Sequence, residues 1–140
     1  MDAMATTDGT AELRPLVRQA CVLLTTRKRD GSTVGTPVHI AVEGDHAYIR
    51  TFGKAGKTKR MRNFPDVDIA PCTRRGKPTG AALHARVRLL DQGGEENAHA
   101  AKLIERKYPV VQRYLVPAFH RLQRDRTLHY EVRLVAERPR

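Results

Sequence analysis

The chain has 140 residues, which is enough for one domain with a hydrophobic core and too few for two. Its 40% hydrophobic content excludes an intrinsically disordered protein. The formal net charge of +11 predicts affinity for an anionic partner: nucleic acid, an acidic membrane or a polyanionic small molecule. No apolar run approaches membrane-spanning length and no signal-peptide pattern is visible, so we expect a cytoplasmic protein with no membrane partner.

The first predicted elements are a polar lead-in and a pair of strands. We expect residues 1–13 to form a loosely ordered N-terminal segment and residues 14–140 to form a single domain. The apolar and β-branched runs Ala20–Thr26 and Thr33–Val42 predict two strands. Asp30-Gly31 between them is typical of a hairpin turn.

The second strand has an interruption at Pro37. Its apolar and β-branched residues recur at every second position, which places one set on a shared face: Val34, Thr36, Val38, Ile40 and Val42. Because a proline cannot donate to a strand ladder, Pro37 indicates an edge, a bulge or a gap that faces a ligand. The neighbouring Gly35 favours a place where another group approaches the backbone closely.

A basic stretch, Thr51–Pro65, follows the third predicted strand, Ala47–Phe52. Its five cationic side chains are Lys54, Lys57, Lys59, Arg60 and Arg62. From Lys57 to Phe64 the pattern turns helical, with Lys57, Met61 and Phe64 on the inward side and with Lys59 and Arg62 pointing away. Because a helix N-terminus with nearby cations binds anions, the stretch predicts either a phosphate-binding loop or a solvated basic turn.

The rest of the chain predicts a barrel. Val67–Thr73 and Ala81–Leu90 read as strands around a basic turn, Arg74–Gly80. A helical region runs from Glu95 to about Asp125, and Leu128–Glu137 reads as a closing strand. Six strands joined mostly by short hairpins favour a mainly β fold, a compact antiparallel barrel, since a parallel α/β sheet needs a helix after each strand.

Motifs that carry their own chemistry are absent from the sequence. No dinucleotide fingerprint, P-loop, zinc spacing or serine-hydrolase elbow is present, and each of the six histidines is isolated. Cys21 and Cys72 would allow one disulfide that nothing requires, and their apolar surroundings favour buried thiols. We therefore predict no metal site, leave the catalytic residues unassigned and attribute any catalysis to a bound cofactor.

The order of these segments resembles a known family. The hairpin TTRKRDGSTVGTPVHIAV, the block YIRTFGKAGKTKRMRNFPDVDIAPC, the turn RRGKPTG and the helical region before a final strand carry the resemblance over about Ala20 to Val135. Together they resemble the flavin/deazaflavin-dependent oxidoreductases related to pyridoxamine 5′-phosphate oxidase, in particular their actinobacterial branch that uses coenzyme F420. The resemblance implies a split β-barrel of six antiparallel strands, a fold that also binds FMN.

The resemblance also implies roles for individual residues. Five residues of the basic stretch would hold the cofactor phosphate: Thr51, Lys57, Thr58, Lys59 and Arg60. Three residues of the second strand would offer backbone groups to the polar edge of the cofactor ring: Thr36, Pro37 and Val38. Arg50 and Lys54 are further candidate anion contacts. Proteins of this family usually form homodimers with cofactor sites at the interface, and the same arrangement is implied here.

The implied function is hydride transfer from reduced coenzyme F420 to a small organic acceptor. F420 carries more negative charge than FMN, so Arg74, Arg75 and Lys77 beside the basic stretch favour F420, with FMN as the alternative. The proton that most acceptors need would come from an unassigned group or from solvent. A non-catalytic F420-, FMN- or haem-binding protein is the second hypothesis. A nucleic-acid-binding barrel is the third, and the absence of Trp and of an aromatic stacking platform disfavours it.

Overall fold

The computed structural model describes residues 13–52, 56–108 and 127–135. A short 3-10 helix at Arg14–Leu16 precedes six strands and two α-helices in these ranges. In chain order the elements are β1 (Val22–Arg27), β2 (Thr33–Glu43), β3 (His46–Phe52), α1 (Gly56–Asn63), β4 (Asp66–Pro71), β5 (Leu83–Leu89), α2 (Glu95–Lys107) and β6 (Thr127–Leu134). The six predicted strands and the helix after the third strand are therefore confirmed.

The strands form a closed antiparallel barrel in the order β1-β2-β3-β6-β5-β4, with β1 paired to β4. The long strand β2 changes partner along its length. Thr33–Val38 pairs with β1, and His39–Glu43 pairs with β3. This division of β2 between two neighbours opens a gap between β2 and the end of β3, and the fold is the predicted split β-barrel.

The barrel interior is filled by the alternating apolar residues that the sequence pattern indicated. Leu24, Ile40, Ile49, Ile69 and Val132 are all fully buried there. Burying an aliphatic side chain of this size contributes roughly 1.5–3 kcal/mol. Leu13, at the end of the expected lead-in, also belongs to this core and is fully buried.

The outer faces of β4 and β5 carry charged pairs. Arg86 lies opposite Asp66 in the ladder and its Nε donates to the Asp66 carboxylate at 3.0 Å. His84 pairs in the same way with Asp68 at 2.5 Å. These pairs are partly exposed and contribute modest stability, and they favour the observed register.

The turn at Asp30-Gly31 forms as predicted. Gly31 has a φ of +90°, which an L-residue with a side chain rarely adopts. The Asp30 carboxylate accepts hydrogen bonds from the Ser32 amide at 2.9 Å and from the Ser32 hydroxyl at 2.6 Å. These contacts fix the β1–β2 hairpin and its register.

The helix α2 packs on the outside of the barrel. Ala100 and Ile104 are buried against Ala41, Tyr48 and Leu90. The remainder of the predicted helical region, from residue 109, lies outside the described residues. None of the helices within the described ranges is long and apolar enough to cross a membrane.

Candidate functional site

The helix α1 lies across one end of the barrel. Its buried residues Met61 and Thr58 face the ends of the strands, and Met61 joins the barrel core. Phe64 was predicted to share this inward face, but its side chain is 36% exposed. That prediction was wrong because the helix ends at Asn63, and the residue before a proline leaves helical geometry.

Two cations lie on one flank of α1, and one of them, Arg60, contacts β1. Lys57 is half-buried, and burial together with the nearby Arg60 charge lowers the pKa of its ammonium group. The Nε atom of Arg60 donates to the Thr26 hydroxyl at 2.6 Å. Within the described ranges no carboxylate pairs with either side chain, and the first turn of α1 has no acidic residue. Two cations are thus held at the positive end of a helix, which is the arrangement that binds an anion.

Gly56 shapes this flank. The Nη1 atom of Arg60 lies 2.8 Å from the position that a Cβ atom on Gly56 would occupy. The guanidinium therefore covers the first turn of α1, and only a glycine leaves room for it there. The second glycine of the basic stretch, Gly53, lies outside the described residues, as does Lys54.

The two threonines assigned to the phosphate lie beneath the helix. Thr51 is 1% exposed and Thr58 is 5% exposed, and their hydroxyl oxygens are 3.5 Å apart. Lys59 lies on the opposite side and is exposed to solvent, as is Arg62. Of the five residues expected around the phosphate, the structure brings Lys57 and Arg60 to one flank, places both threonines in the interior and leaves Lys59 in solvent.

Of the three residues expected to offer backbone groups to the ring, only Pro37 has its carbonyl directed into the gap beside β2. The β2–β3 ladder ends at the His39–Arg50 pair, so Thr36, Pro37 and Val38 have a strand partner only on the β1 side. Hydrogen bonds alternate along an antiparallel pair. The Ser32 carbonyl accepts from the Lys28 amide, so Ser32 directs its backbone groups to β1. Every second residue after Ser32 does the same, which includes Thr36 and Val38. The carbonyl of Pro37, between them, therefore points away from β1 and into the gap.

The basic turn between β4 and β5 packs against Pro37. A Cβ atom on Gly76 would lie 3.4 Å from Pro37 Cγ, and Gly76 has a φ of +90°. The Thr73 amide donates to the Lys77 carbonyl at 2.9 Å, which closes the turn. Arg74, Arg75 and Lys77 are all exposed. The turn therefore adds three solvent-facing cations beside the open part of β2.

A cavity of about 260 Å³ lies on the other flank of α1, at the end of β5 and the start of β6. Its lining residues are Thr58, Met61, Arg62, Val87, Leu89, Leu128 and Tyr130. Leu89 is 53% exposed at its rim, whereas Tyr130 is buried. Burial raises the pKa of Tyr130, and a hydrogen bond with Thr58 opposes this shift.

Arg50 was a candidate anion contact, and the structure places it on the outer face of β3 beneath α2. Its Nε atom donates to His129 Nε2 at 3.0 Å, and its Nη2 atom lies 3.6 Å from a Glu105 carboxylate oxygen. Burial and the Arg50 charge lower the pKa of His129 to about 4. His129 is therefore neutral at pH 7, and its Nδ1–H donates to Asn97 Oδ1 at 2.9 Å.

The sequence did not indicate this chain of hydrogen bonds, nor a second group of contacts that Tyr108 and Lys107 make near the start of β1. The Tyr108 ring stacks on His39 with centroids 4.0 Å apart, and its hydroxyl donates to the Ala20 carbonyl at 2.8 Å. Lys107 Nζ donates to the Ile40 carbonyl at 2.8 Å. These contacts provide hydrogen-bond partners for the Ile40 backbone, which lies beyond the last residue of β2 that pairs with β1. The residues involved are far apart in the chain, so no local sequence pattern predicts the contacts. Among the described residues no three metal-ligating side chains are placed to share an ion.

No protein-family model matches this sequence, and no curated protein matches it. Solved structures do match. An F420 reductase is 17% identical, with 87% of this chain and 92% of that chain covered and a TM-score of 0.58. An FAD-binding protein from Mesorhizobium loti is 13% identical, with coverages of 89% and 86% and a TM-score of 0.61.

A third match is a haem-storage protein from Vibrio cholerae, which is 12% identical, with 92% of this chain and 90% of that chain covered and a TM-score of 0.60. The fold that these proteins share is the pyridoxamine 5′-phosphate oxidase-like split barrel. At such identities the likeness shows the fold. The activity has to be argued from the side chains of this chain.

Proposed function

We propose that this chain binds a phosphate-bearing flavin-type cofactor and transfers a hydride to a small organic acceptor, with reduced coenzyme F420 as the favoured cofactor and FMN as the alternative. The observation that carries the proposal is the cationic flank of α1. Lys57 and Arg60 lie there with no carboxylate partner in the described ranges, at the positive end of a helix. A phosphate would pair with both cations and with the first amides of the helix.

The open part of β2 fits the cofactor ring. The Pro37 carbonyl points into the gap where β3 has diverged, and Arg60 bonds to Thr26 on the neighbouring strand β1. A ring against β2 and a phosphate at α1 would therefore lie side by side. When bound, the cofactor supplies the hydride, and the protein aligns donor and acceptor and excludes water.

The cavity on the other flank of α1 is a candidate site for a second small ligand, whereas a hydride acceptor has to contact the cofactor ring and would lie along the open part of β2. Its volume of about 260 Å³ lies just below the range of roughly 300–1,000 Å³ that is usual for ligand pockets, so it would hold only a small ligand. Leu89, Leu128 and Val87 offer apolar contacts, while the Tyr130 hydroxyl and Arg62 can meet a carbonyl or carboxylate group. The catalytic proton donor stays unassigned.

Charge favours F420 over FMN. The exposed cations Arg74, Arg75 and Lys77 lie on the turn that packs against Pro37. Their positive charge would favour the more negatively charged F420 over FMN. Cofactor binding at a homodimer interface is also proposed, and the exposed apolar side chains of Phe64 and Leu89 at this end of the barrel would suit such a contact.

A binding protein without turnover is the second candidate, and the shared fold with a haem-storage protein supports it. A nucleic-acid-binding barrel is disfavoured because Tyr48 and Tyr130 are buried and Tyr108 is stacked on His39, which leaves no aromatic platform among the described residues.

Equilibrium titration with F420, FMN and haem, followed by turnover assays with reduced F420 and a panel of activated alkenes and carbonyl compounds, tests the proposal. We expect F420 binding that Lys57→Ala weakens by roughly 10-fold or more, since each charge-assisted contact contributes about 1.5–3 kcal/mol. Lys59→Ala is the matched control, because it removes the same charge from the exposed side of the helix. Equal losses in both variants would indicate diffuse electrostatics and no defined phosphate site.

A further inference from the structure

Two thiols face each other across the seam where the barrel closes. Cys21 directly precedes β1, and Cys72 directly follows β4. Both are free and buried, with exposures of 7% and 6%, and their Sγ atoms are 3.9 Å apart. The β1–β4 register pairs Val22 with Pro71, so one further step places Cys21 directly opposite Cys72.

The geometry of this pair suits a disulfide. Residues directly opposite in an antiparallel ladder have Cα atoms about 4.5–5.5 Å apart, which lies within the 4.4–6.8 Å that disulfides require. A disulfide bond is about 2.0 Å long, so the two sulfur atoms would have to approach by roughly 1.9 Å. Rotation of the two side chains about χ1 can supply this movement. Weak contacts hold the thiols at present: Cys21 Sγ donates to the Thr73 carbonyl at 3.5 Å, and Cys72 Sγ donates to Cys21 Sγ.

We propose that Cys21 and Cys72 form a reversible intramolecular disulfide when the protein meets an oxidising small disulfide such as oxidised glutathione. One thiolate attacks a sulfur atom of the small disulfide and releases one thiol, which leaves a mixed disulfide on the protein. The second thiolate then attacks the protein sulfur of that mixed disulfide and releases the second thiol. Two protein thiols lose two electrons and two protons, and one small disulfide is reduced to two thiols.

Burial makes the closure slow. It raises the pKa of Cys72 to about 11, so little of this thiol is ionised at neutral pH and the pair stays reduced until oxidant accumulates. Once formed, the bond is shielded from reductants by the same burial. The proposal is independent of the cofactor and of the proposed activity.

The bond would stabilise the closing pair of the barrel. It would join positions 51 residues apart in the chain, which restricts the unfolded ensemble. Cys72 also forms a bridge to Pro78 at the base of the basic turn that packs against Pro37. Oxidation would therefore tie the base of that turn to the start of β1. We expect the melting temperature to rise by roughly 6–15 °C.

The test incubates the intact protein with oxidised glutathione, denatures it, alkylates the remaining thiols and measures the mass and the melting temperature. We expect a product that takes up no alkylating reagent, has lost two hydrogen atoms, melts higher and reverts with a reductant. Cys21→Ser and Cys72→Ser should stop at the mixed disulfide with no rise in melting temperature. Two alkylated cysteines after incubation, a stable glutathione adduct on the wild type, or cross-linked dimers would overturn the proposal. If a serine variant does not fold, the thiol count of the wild type decides alone.

Discussion

Gly56→Ala separates the phosphate site from the stability of the fold. An alanine Cβ would lie 2.8 Å from Arg60 Nη1, and ordinary contact begins at 3.4 Å, so the guanidinium has to retreat by about 0.6 Å. That atom is the far end of a flexible side chain, so the retreat costs the fold little. Gly56 does not have a positive φ, and alanine in its place is neutral or stabilises by up to about 1 kcal/mol.

Cofactor affinity should respond differently, because a guanidinium displaced by about 0.6 Å leaves the position from which it would meet the phosphate. We expect Gly56→Ala to weaken F420 or FMN binding by roughly 3- to 10-fold, a loss of about 0.7–1.4 kcal/mol. Arg60→Ala removes the guanidinium altogether and should give the largest loss of cofactor affinity, roughly 10- to 100-fold. Fluorescence titration gives the affinity, and thermal melting gives the stability. Unchanged affinity in a folded Gly56→Ala protein would refute the assignment of Arg60 to the phosphate.

The remaining predictions concern stability. The pKa of His129 is about 4 in the folded protein and about 6.5 in the unfolded chain. As the pH falls from 6.5 to 4, the unfolded chain therefore binds the proton first. The free energy of unfolding of the wild type should fall by about 2–4 kcal/mol over this range. In His129→Asn, the free energy of unfolding from urea titrations should depend less on pH over this range. An unchanged pH dependence would contradict a buried, neutral histidine. Gly80→Ala should cost about 1–3 kcal/mol, because the new Cβ would lie 2.7 Å from the rigid Pro71 ring. Gly93→Ala, with open space around it, is the control, and equal melting temperatures would rule out the clash.

The fold could be predicted because its signals are local. Alternation of apolar residues and the turn at Asp30-Gly31 define hairpins without any knowledge of the tertiary structure. The two flanks of α1 follow from helical spacing as well, since Lys57 and Arg60 are three residues apart and Thr58 and Arg62 are four apart. The direction in which each flank faces depends on barrel closure, which brings the ends of β1, β3, β5 and β6 together beneath the helix.

Other features depend on distant pairings. Arg50 contacts His129 because β3 pairs with β6, and the two residues are 79 positions apart in the chain. No local sequence pattern predicts a buried histidine as the partner of an arginine. The Phe64 prediction failed for a local reason: helical spacing was extended to a residue that precedes a proline. The functional roles of Thr51, Thr58 and Lys59 stay predictions, since the structure places two of them in the interior and one in solvent.

The central claim is that a cofactor phosphate binds at the cationic flank of α1. A crystal structure of the protein with F420 or FMN tests it most directly. We predict the phosphate between Lys57 Nζ and the Arg60 guanidinium, with the ring along the open part of β2 at Pro37. A phosphate on the turn that contains Arg74 and Arg75, or a ring in the cavity beside Leu89, would contradict the account.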